Sequence, residues 1–353
     1  MKRLRGYLWW SVMMPALAML GVLVALDSLF SMVHELEFLR GDYQVLQALQ
    51  YVFTSIPHRA AEFLPMAVLL GTLLGLGFLA NSGELTVIRA AGVSHYRIGW
   101  LVLRPALFLL LLGLLNGEYL APYAQQVAHS NRSLAESSGE AIRSKFGYWH
   151  RDGREFIHIN AVQPNGVLYG VTRYRFADER TLEELVYVDR AIYQGEAWFM
   201  EGIRGTRMLA DRAESYTEST AVWETELTPE LLSYVILEPE HLSFSKLYRY
   251  GVYLASQGLD AAEYHLAFWQ KLMVPVASIG MVLIAISFVF GPLREVTMGL
   301  RLTAGIVASL VFHYGQQFFG HLSIVFDASP FLAAVVPALL CVFAGVLLMR
   351  RAA

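Results

Sequence analysis

Six long apolar runs, three toward each end of the chain, flank a polar middle of about 110 residues, and this division limits what the chain can fold into. The runs are Tyr7 to Val33, Phe63 to Ala80 with a lead-in from about Tyr51, Ile98 to Leu120, Leu272 to Phe290, Leu302 to Phe319 and Phe331 to Met349. About 20 apolar residues cross a bilayer as a helix, and a backbone in hydrocarbon must satisfy its own donors and acceptors. The pattern therefore predicts an α-helical membrane protein with six transmembrane helices and an inserted soluble domain. Composition agrees: 56% of residues are hydrophobic and 16% charged, with a mean hydropathy of +0.44, outside the usual soluble range.

Charge placement predicts the orientation. Lys2, Arg3 and Arg5, then Arg89 and Arg97, Arg294 and Arg301, and finally Arg350 and Arg351 all fall on one side of the six spans. The loop from His321 to Ser329 on the other side has no Lys or Arg. By the positive-inside rule both termini are expected in the cytoplasm and the middle domain outside. Ala16-Leu17-Ala18 would pass for a signal-peptidase site, but the apolar character continues well beyond it, so a retained first helix is expected. Asp27, the only charge in that run, reads as an interfacial residue.

From about Lys145 the period changes to two. Phe156 to Asn160, Val167 to Tyr174 and Ala197 to Met200 are rich in β-branched and aromatic residues, separated by Asp152-Gly153, Pro164-Asn165-Gly166 and Gly195-Glu196. Short strands at this spacing predict an all-β sandwich or jelly roll ending near Glu226. Helical character is expected to persist past Ala121-Pro122 to Ala135, and Leu242 to Gly258 reads as a helix returning to the membrane. The expected divisions are thus 1–135, 136–243 and 244–353.

Between the second and third runs lies Asn81-Ser82-Gly83-Glu84-Leu85-Thr86-Val87-Ile88-Arg89-Ala90-Ala91-Gly92. Leu85, Ile88 and Ala91 recur at helical spacing, Asn81 with Glu84 resembles a capping box, and Gly92 is placed to end a short helix over about 82–92. Upstream, Gly71 and Gly75 form a Gly-x-x-x-Gly pair against which another helix can pack closely. A membrane helix followed by a short amphipathic helix suits a device that grips something at the membrane surface; an ordinary polar loop is the plain alternative.

Chemistry-bearing motifs are few. There is no Gly-x-x-x-x-Gly-Lys-[Ser/Thr], no His-Glu-x-x-His and no Gly-x-Ser-x-Gly, and the ten histidines show no ligand spacing. Cys341, the single cysteine, excludes a disulfide or cysteine metal site within the chain. The net charge of −3 and the lack of a basic stripe argue against nucleic acid. Glu183-Glu184 and Asp211 with Glu214 read as solvated strand edges rather than acid–base pairs. His313, Gln316 and Gln317 in the fifth run are expected to face a bundle interior or a path. His58, Arg59, His129 and Arg132 fall near the outer leaflet, where they suit contact with anionic groups.

The order of three spans, β domain and three spans resembles the lipopolysaccharide export permease family, LptF/LptG type, on its G side. The resemblance is carried by Pro65 to Ser94, Gly117 to Pro122, Gly147 to Phe176 and Ile286 to Arg301. It implies an ABC-transporter subunit that pairs with a homologous F-type permease. It also implies a cytoplasmic ATPase dimer that binds ATP and Mg, so that this chain needs no cofactor of its own. A single-span periplasmic accessory protein and a bridge protein complete the implied assembly. In that setting the short helix, with Glu84, Leu85, Ile88 and Arg89, corresponds to the coupling helix. Spans one and five correspond to lateral gates, and the β domain to a jelly roll that receives lipopolysaccharide. The resemblance also implies that some family members carry several lysines at the outer end of span one, toward lipid phosphates. Here that stretch reads His34-Glu35-Leu36-Glu37-Phe38-Leu39-Arg40, so phosphate contact is expected from Arg40 together with His58, Arg59, His129 and Arg132. The alternative reading is a mechanotransmitting ABC subunit that moves an outer domain without conducting lipid.

Overall fold

A computed structural model describes residues 2–39, 43–136, 148–152, 154–163, 166–177, 181–195, 197–209, 211–225, 227–229, 232, 239–256, 260–291, 296–326 and 328–352. The chain divides into two compact units. One comprises residues 1–27, 57–120 and 243–353; the other comprises 28–56 and 121–242. Residues 28–56 and 121–135, which the sequence groups with the helical region, thus cluster with the β domain.

Helix α1 spans Lys2–Leu36, α2 Val45–Thr54, α3 Ile56–Asn81, α4 Glu84–Ala90 and α5 His95–Leu115. A π-helical turn over Asn116–Leu120 leads into α6, Ala121–Glu136, so helical structure does run through Ala121-Pro122. After the sheet come α7 (Phe244–Ser256), α8 (Ala262–Phe290), α9 (Met298–Val325) and α10 (Pro330–Ala352). The expected second helix is broken at Ser55: Tyr51 lies in the separate α2, and Pro57 sits in the first turn of α3, where no helical donor is missed.

Among the described residues, five segments are long and apolar enough to cross a membrane: Arg3–Leu36, Ile56–Asn81, His95–Ala135, Ala262–Phe290 and Pro330–Arg351. The sixth run lies in α9, which has 28 residues, a length of about 42 Å at 1.5 Å per residue. Arg301, His313, Gln316, Gln317 and His321 dilute its apolar character.

The helical unit packs around Val12, Val68, Leu73, Leu76, Val102, Val282 and Ile286. The Gly-x-x-x-Gly expectation holds, and its partner is α1. A β-carbon at Gly71 would overlap Ala16, and one at Gly75 would overlap the Ser11 carbonyl oxygen. Pro15 explains why that oxygen is available: lacking an N–H, it leaves the carbonyl four residues earlier without a helical donor. The α3 backbone closes against the vacated oxygen, a place where only Gly fits.

The second unit carries one antiparallel sheet whose strands pair in chain order: β1 (Tyr148–Asp152), β2 (Glu155–Val162), β3 (Leu168–Phe176), β4 (Leu182–Tyr193), β5 (Trp198–Met208) and β6 (Ala213–Trp223). The described strands therefore form a six-stranded meander. Its core joins Ile157, Val171, Val188, Trp198, Ile203 and Trp223. Trp198 is fully buried and its indole N–H donates to the Leu227 carbonyl at 2.7 Å. On β4 and β5 burial alternates but changes phase midway, whereas β2 is buried at six consecutive residues. On β4 it passes from Glu184, Val186 and Val188 to Ala191, and on β5 from Trp198 and Met200 to Ile203 and Gly205. Gly170 and Gly202, on β3 and β5, have positive φ (62° and 68°) and face Asn160 and Asp189, so an irregular line crosses the sheet where the phase changes.

Glu184 is no solvated edge. It is buried in a row of alternating charges set by the register Glu155↔Arg175↔Glu184↔Arg207. Arg175 reaches Glu155 at 2.6 Å and Glu184 at 3.2 Å, Arg207 reaches Glu184 at 3.1 Å, and the Tyr216 hydroxyl donates to Glu184 at 3.0 Å. Gly153, Pro164, Asn165 and Glu196, expected in turns, and Arg294 lie outside the described residues.

Candidate functional site

The short helix forms over Glu84–Ala90, but its start differs from the expected capping box. The residue before it is Gly83 in a left-handed conformation (φ 77°), and no side chain caps the first turn. Asn81 is engaged elsewhere: its side-chain oxygen accepts from Arg301 Nη1 at 3.1 Å, and the same nitrogen donates to the Gly77 carbonyl at 3.2 Å. Arg301 is fully buried, so α9 inserts a cation among the last carbonyls of α3, the negative end of that helix. Gly92 (φ 83°) does end α4, its N–H reaching the Arg89 carbonyl at 2.9 Å.

Glu84 is held by its own chain. The Tyr7 hydroxyl donates to Oε2 at 2.6 Å, and the Ser82 hydroxyl donates to Oε1 at 3.1 Å. Leu85 belongs to the helical core and Ile88 packs against it. The face turned outward is Thr86, Val87, Arg89 and Ala90. Of the four expected coupling residues, only Arg89 is exposed; Val87, which the sequence did not single out, is a large apolar residue facing out. Beside it an open hollow of about 620 Å³ is lined by Thr86, Arg89, Ala90, Gly92, Ser94 and His95, among others. A groove of about 440 Å³ between α1 and α3 includes Trp10, Met14, Phe78 and Leu79 and ends at Tyr7 and Glu84.

The arrangement, then, is a packed helical core presenting one short helix whose inner face is sealed and whose outer face carries Thr86, Val87, Arg89 and Ala90. The sequence signature of the family described as lipopolysaccharide export system permease LptF/LptG matches residues 6–351. The chain belongs to the LptF/LptG permease family. Among curated relatives, the lipopolysaccharide export system permease protein LptG of Escherichia coli (strain K12) is 35% identical over 320 residues, covering 90% of this chain and 89% of that protein. LptG of Haemophilus influenzae is 33% identical over 337 residues, covering 95% and 94%.

In this LptF/LptG-family chain the residues expected to meet anionic groups are placed as follows. Arg59 is buried and ion-paired with Asp27, which is itself partly exposed. His58 beside it is half-buried. Arg132 donates to the buried Glu35 at 2.9 Å, and the rings of Phe38, Tyr43 and Tyr51 lie 5.2 to 5.7 Å from its guanidinium. The Tyr43 hydroxyl completes Glu35 at 2.7 Å. His129, one turn before Arg132, contacts Gln125 at 3.2 Å and lies against the Tyr51 and His241 rings. Arg59 and Arg132 fall in different compact units. Arg40 lies outside the described residues.

On α9, His313 and Gln317 are joined side chain to side chain at 3.2 Å, and His321 contacts the Gln317 carbonyl at 2.8 Å. His313 and Gln317 are exposed and Gln316 half-buried, forming a polar strip on a helix whose Val311, Tyr314 and Phe318 are also exposed. Among the described residues no group of three His, Cys, Asp or Glu side chains is arranged to hold a metal. The sequence reading missed Tyr7, Glu35, Tyr43 and the burial of Arg301. A charged residue abutting an apolar run, as Arg301 does, was the one available signal.

Proposed function

We propose that the chain is the permease subunit through which an ABC transporter extracts lipopolysaccharide from the bacterial inner membrane and passes it to a periplasmic bridge. One observation carries the reading: a helix with a sealed inner face and an outward Val87–Arg89 face, in a chain with no nucleotide loop, suits coupling to a separate ATPase. Membership of the family and the export system for which its LptG relatives are named support the same substrate. In this reading α9 is the sixth span, both termini are cytoplasmic, and the sheet is the periplasmic domain, part of a jelly roll. An F-type permease, an ATPase dimer holding ATP and Mg, a single-span accessory protein and the bridge protein make up the assembly. The exposed apolar faces of α1 (Trp10, Met14, Leu17, Phe30) and α9 (Val311, Tyr314, Phe318) then line the lipid's way in. Each acyl CH₂ removed from the bilayer costs about 0.8 kcal/mol unless another apolar surface receives it. An apolar route therefore leaves ATP less to supply.

The test is ATP-dependent release of lipopolysaccharide from proteoliposomes holding the assembled complex. Wild type is expected to release lipid, and Val87→Glu with Arg89→Glu to lose both ATPase retention and release. Release that survives those changes would remove α4 as the coupling surface. ATP hydrolysis without any release from wild type would instead favour the mechanotransmitting subunit.

A further inference from the structure

We infer that Tyr7 is the positioning residue of the coupling helix, clasping it to α1 through Glu84. This rests on the reading of α4 as that helix, and goes beyond it by giving Glu84 an internal partner.

The joint between α3 and α4 is soft by construction. It consists of Ser82 and the left-handed Gly83, with no side-chain cap on the helix that follows. A seven-residue helix has little stability of its own. Leu85 and Ile88 seat its inner face on the core, and α1 lies along both sides of the joint. Upstream, Gly75 of α3 is pressed against the Ser11 carbonyl, with no layer of side chains between the two backbones. Downstream, Glu84 of α4 accepts from the Tyr7 hydroxyl at 2.6 Å.

Tyr7 and Ser11 are one turn apart on α1 and are themselves linked, since the Ser11 hydroxyl donates to the Tyr7 carbonyl at 2.9 Å. The first turns of α1 therefore splint the joint. If α4 swings relative to α3, either the Tyr7–Glu84 bond breaks or α1 moves with it. A push on Val87 and Arg89 is thereby delivered to α1 as well as to α3. Glu84 is suited to this task because a carboxylate accepts at both oxygens: Ser82 fixes one within the joint and Tyr7 takes the other. The bond is charge-assisted and correspondingly short.

The experiment uses the assembled complex in lipid nanodiscs, with Tyr7→Phe, Glu84→Gln and the double variant. Hydrogen exchange over residues 84–90 reports the clasp directly, with residues 98–110 of α5 as internal reference. Each single variant is expected to raise exchange over 84–90 by about threefold, the scale of one modest hydrogen bond, and to lower the lipid released per ATP hydrolysed. The double variant is expected to go no further than either single, because both remove the same bond. Tyr7→Gln, which retains a donor, is expected to restore part of the protection. Wild-type exchange in Tyr7→Phe, or losses that multiply in the double variant, would overturn the clasp. Exchange that rises equally in α5 would also overturn it, since Tyr7 would then support the whole core and not the joint. A wild-type complex that released no lipid would count against the coupling reading alone, because the exchange result stands without transport.

Discussion

Arg59, Arg132 and Arg301 are charges placed within apolar surroundings, and each meets a specific acceptor: Asp27, Glu35, and the Gly77 carbonyl with Asn81. A buried charge stripped of its partner is costlier than the pair is valuable. Arg132→Ala leaves Glu35, 3% exposed, beneath Tyr43 with no cation. It is expected to destabilise the second unit by about 3 kcal/mol, read as a fall in the thermal midpoint of the detergent-solubilised protein. Adding Glu35→Gln is expected to recover most of that loss, whereas a phosphate-binding role for Arg132 would leave stability unchanged and weaken lipid binding instead. At this scale the sequence was legible where neighbours decide the outcome, as at Gly71, Gly75 and Gly92. It was illegible where a partner lies far along the chain. Asn81 and Glu84 have the spacing of a capping box, but Arg301 and Tyr7 claim their side chains from other helices.

The strands show how an element obeys its pattern and still misleads. Phe156 to Asn160, Val167 to Tyr174 and Ala197 to Met200 all lie in or beside strands, β2, β3 and β5. A period of two, however, says nothing about which side is covered when the phase changes midway, as on β4 and β5. β4 and β6 carry many charges and polar residues, and their membership became evident only through pairing, as the burial of Glu184 illustrates. The charge row gives the sheet a pH dependence. Burial alone would raise the Glu155 pKa, but the hydrogen bonds and charges of Arg173 and Arg175 outweigh it and hold the carboxyl below its usual range. That stability is complete above the ordinary carboxyl pKa and is lost as pH falls through the depressed one. Burial pushes the His158 imidazole below its ordinary 6.5, so the unfolded chain protonates first and stability falls with pH from there downward. Both effects have the same sign. Stability in denaturant unfolding, followed by the strand circular dichroism signal, is expected to weaken over the range from about pH 6.5 down through the depressed Glu155 pKa, below about 4.5. His158→Gln should flatten the upper part of that range and Glu155→Gln the lower.

For the molecule as a whole, class and order were readable because membrane insertion is decided by long averages of hydropathy, which tolerate local error. The compact units were harder, since α2 and α6 follow from sequence as helices while their clustering with the sheet depends on contacts between distant segments. Orientation yields to labelling. Cysteines introduced at Ser94 and Arg350 are expected to react with a membrane-impermeant maleimide only from the cytoplasmic side, and those at Gly195 and Ala328 only from the periplasmic side; the reverse pattern would invert the proposed topology. Such measurements are helped by the chain itself. Cys341 is its single thiol, buried between helices with its sulfur against the Ala277 carbonyl at 3.6 Å. To a reagent in water the native protein is close to blank, so a probe attached at almost any chosen position reports from that position alone, with no background to remove first.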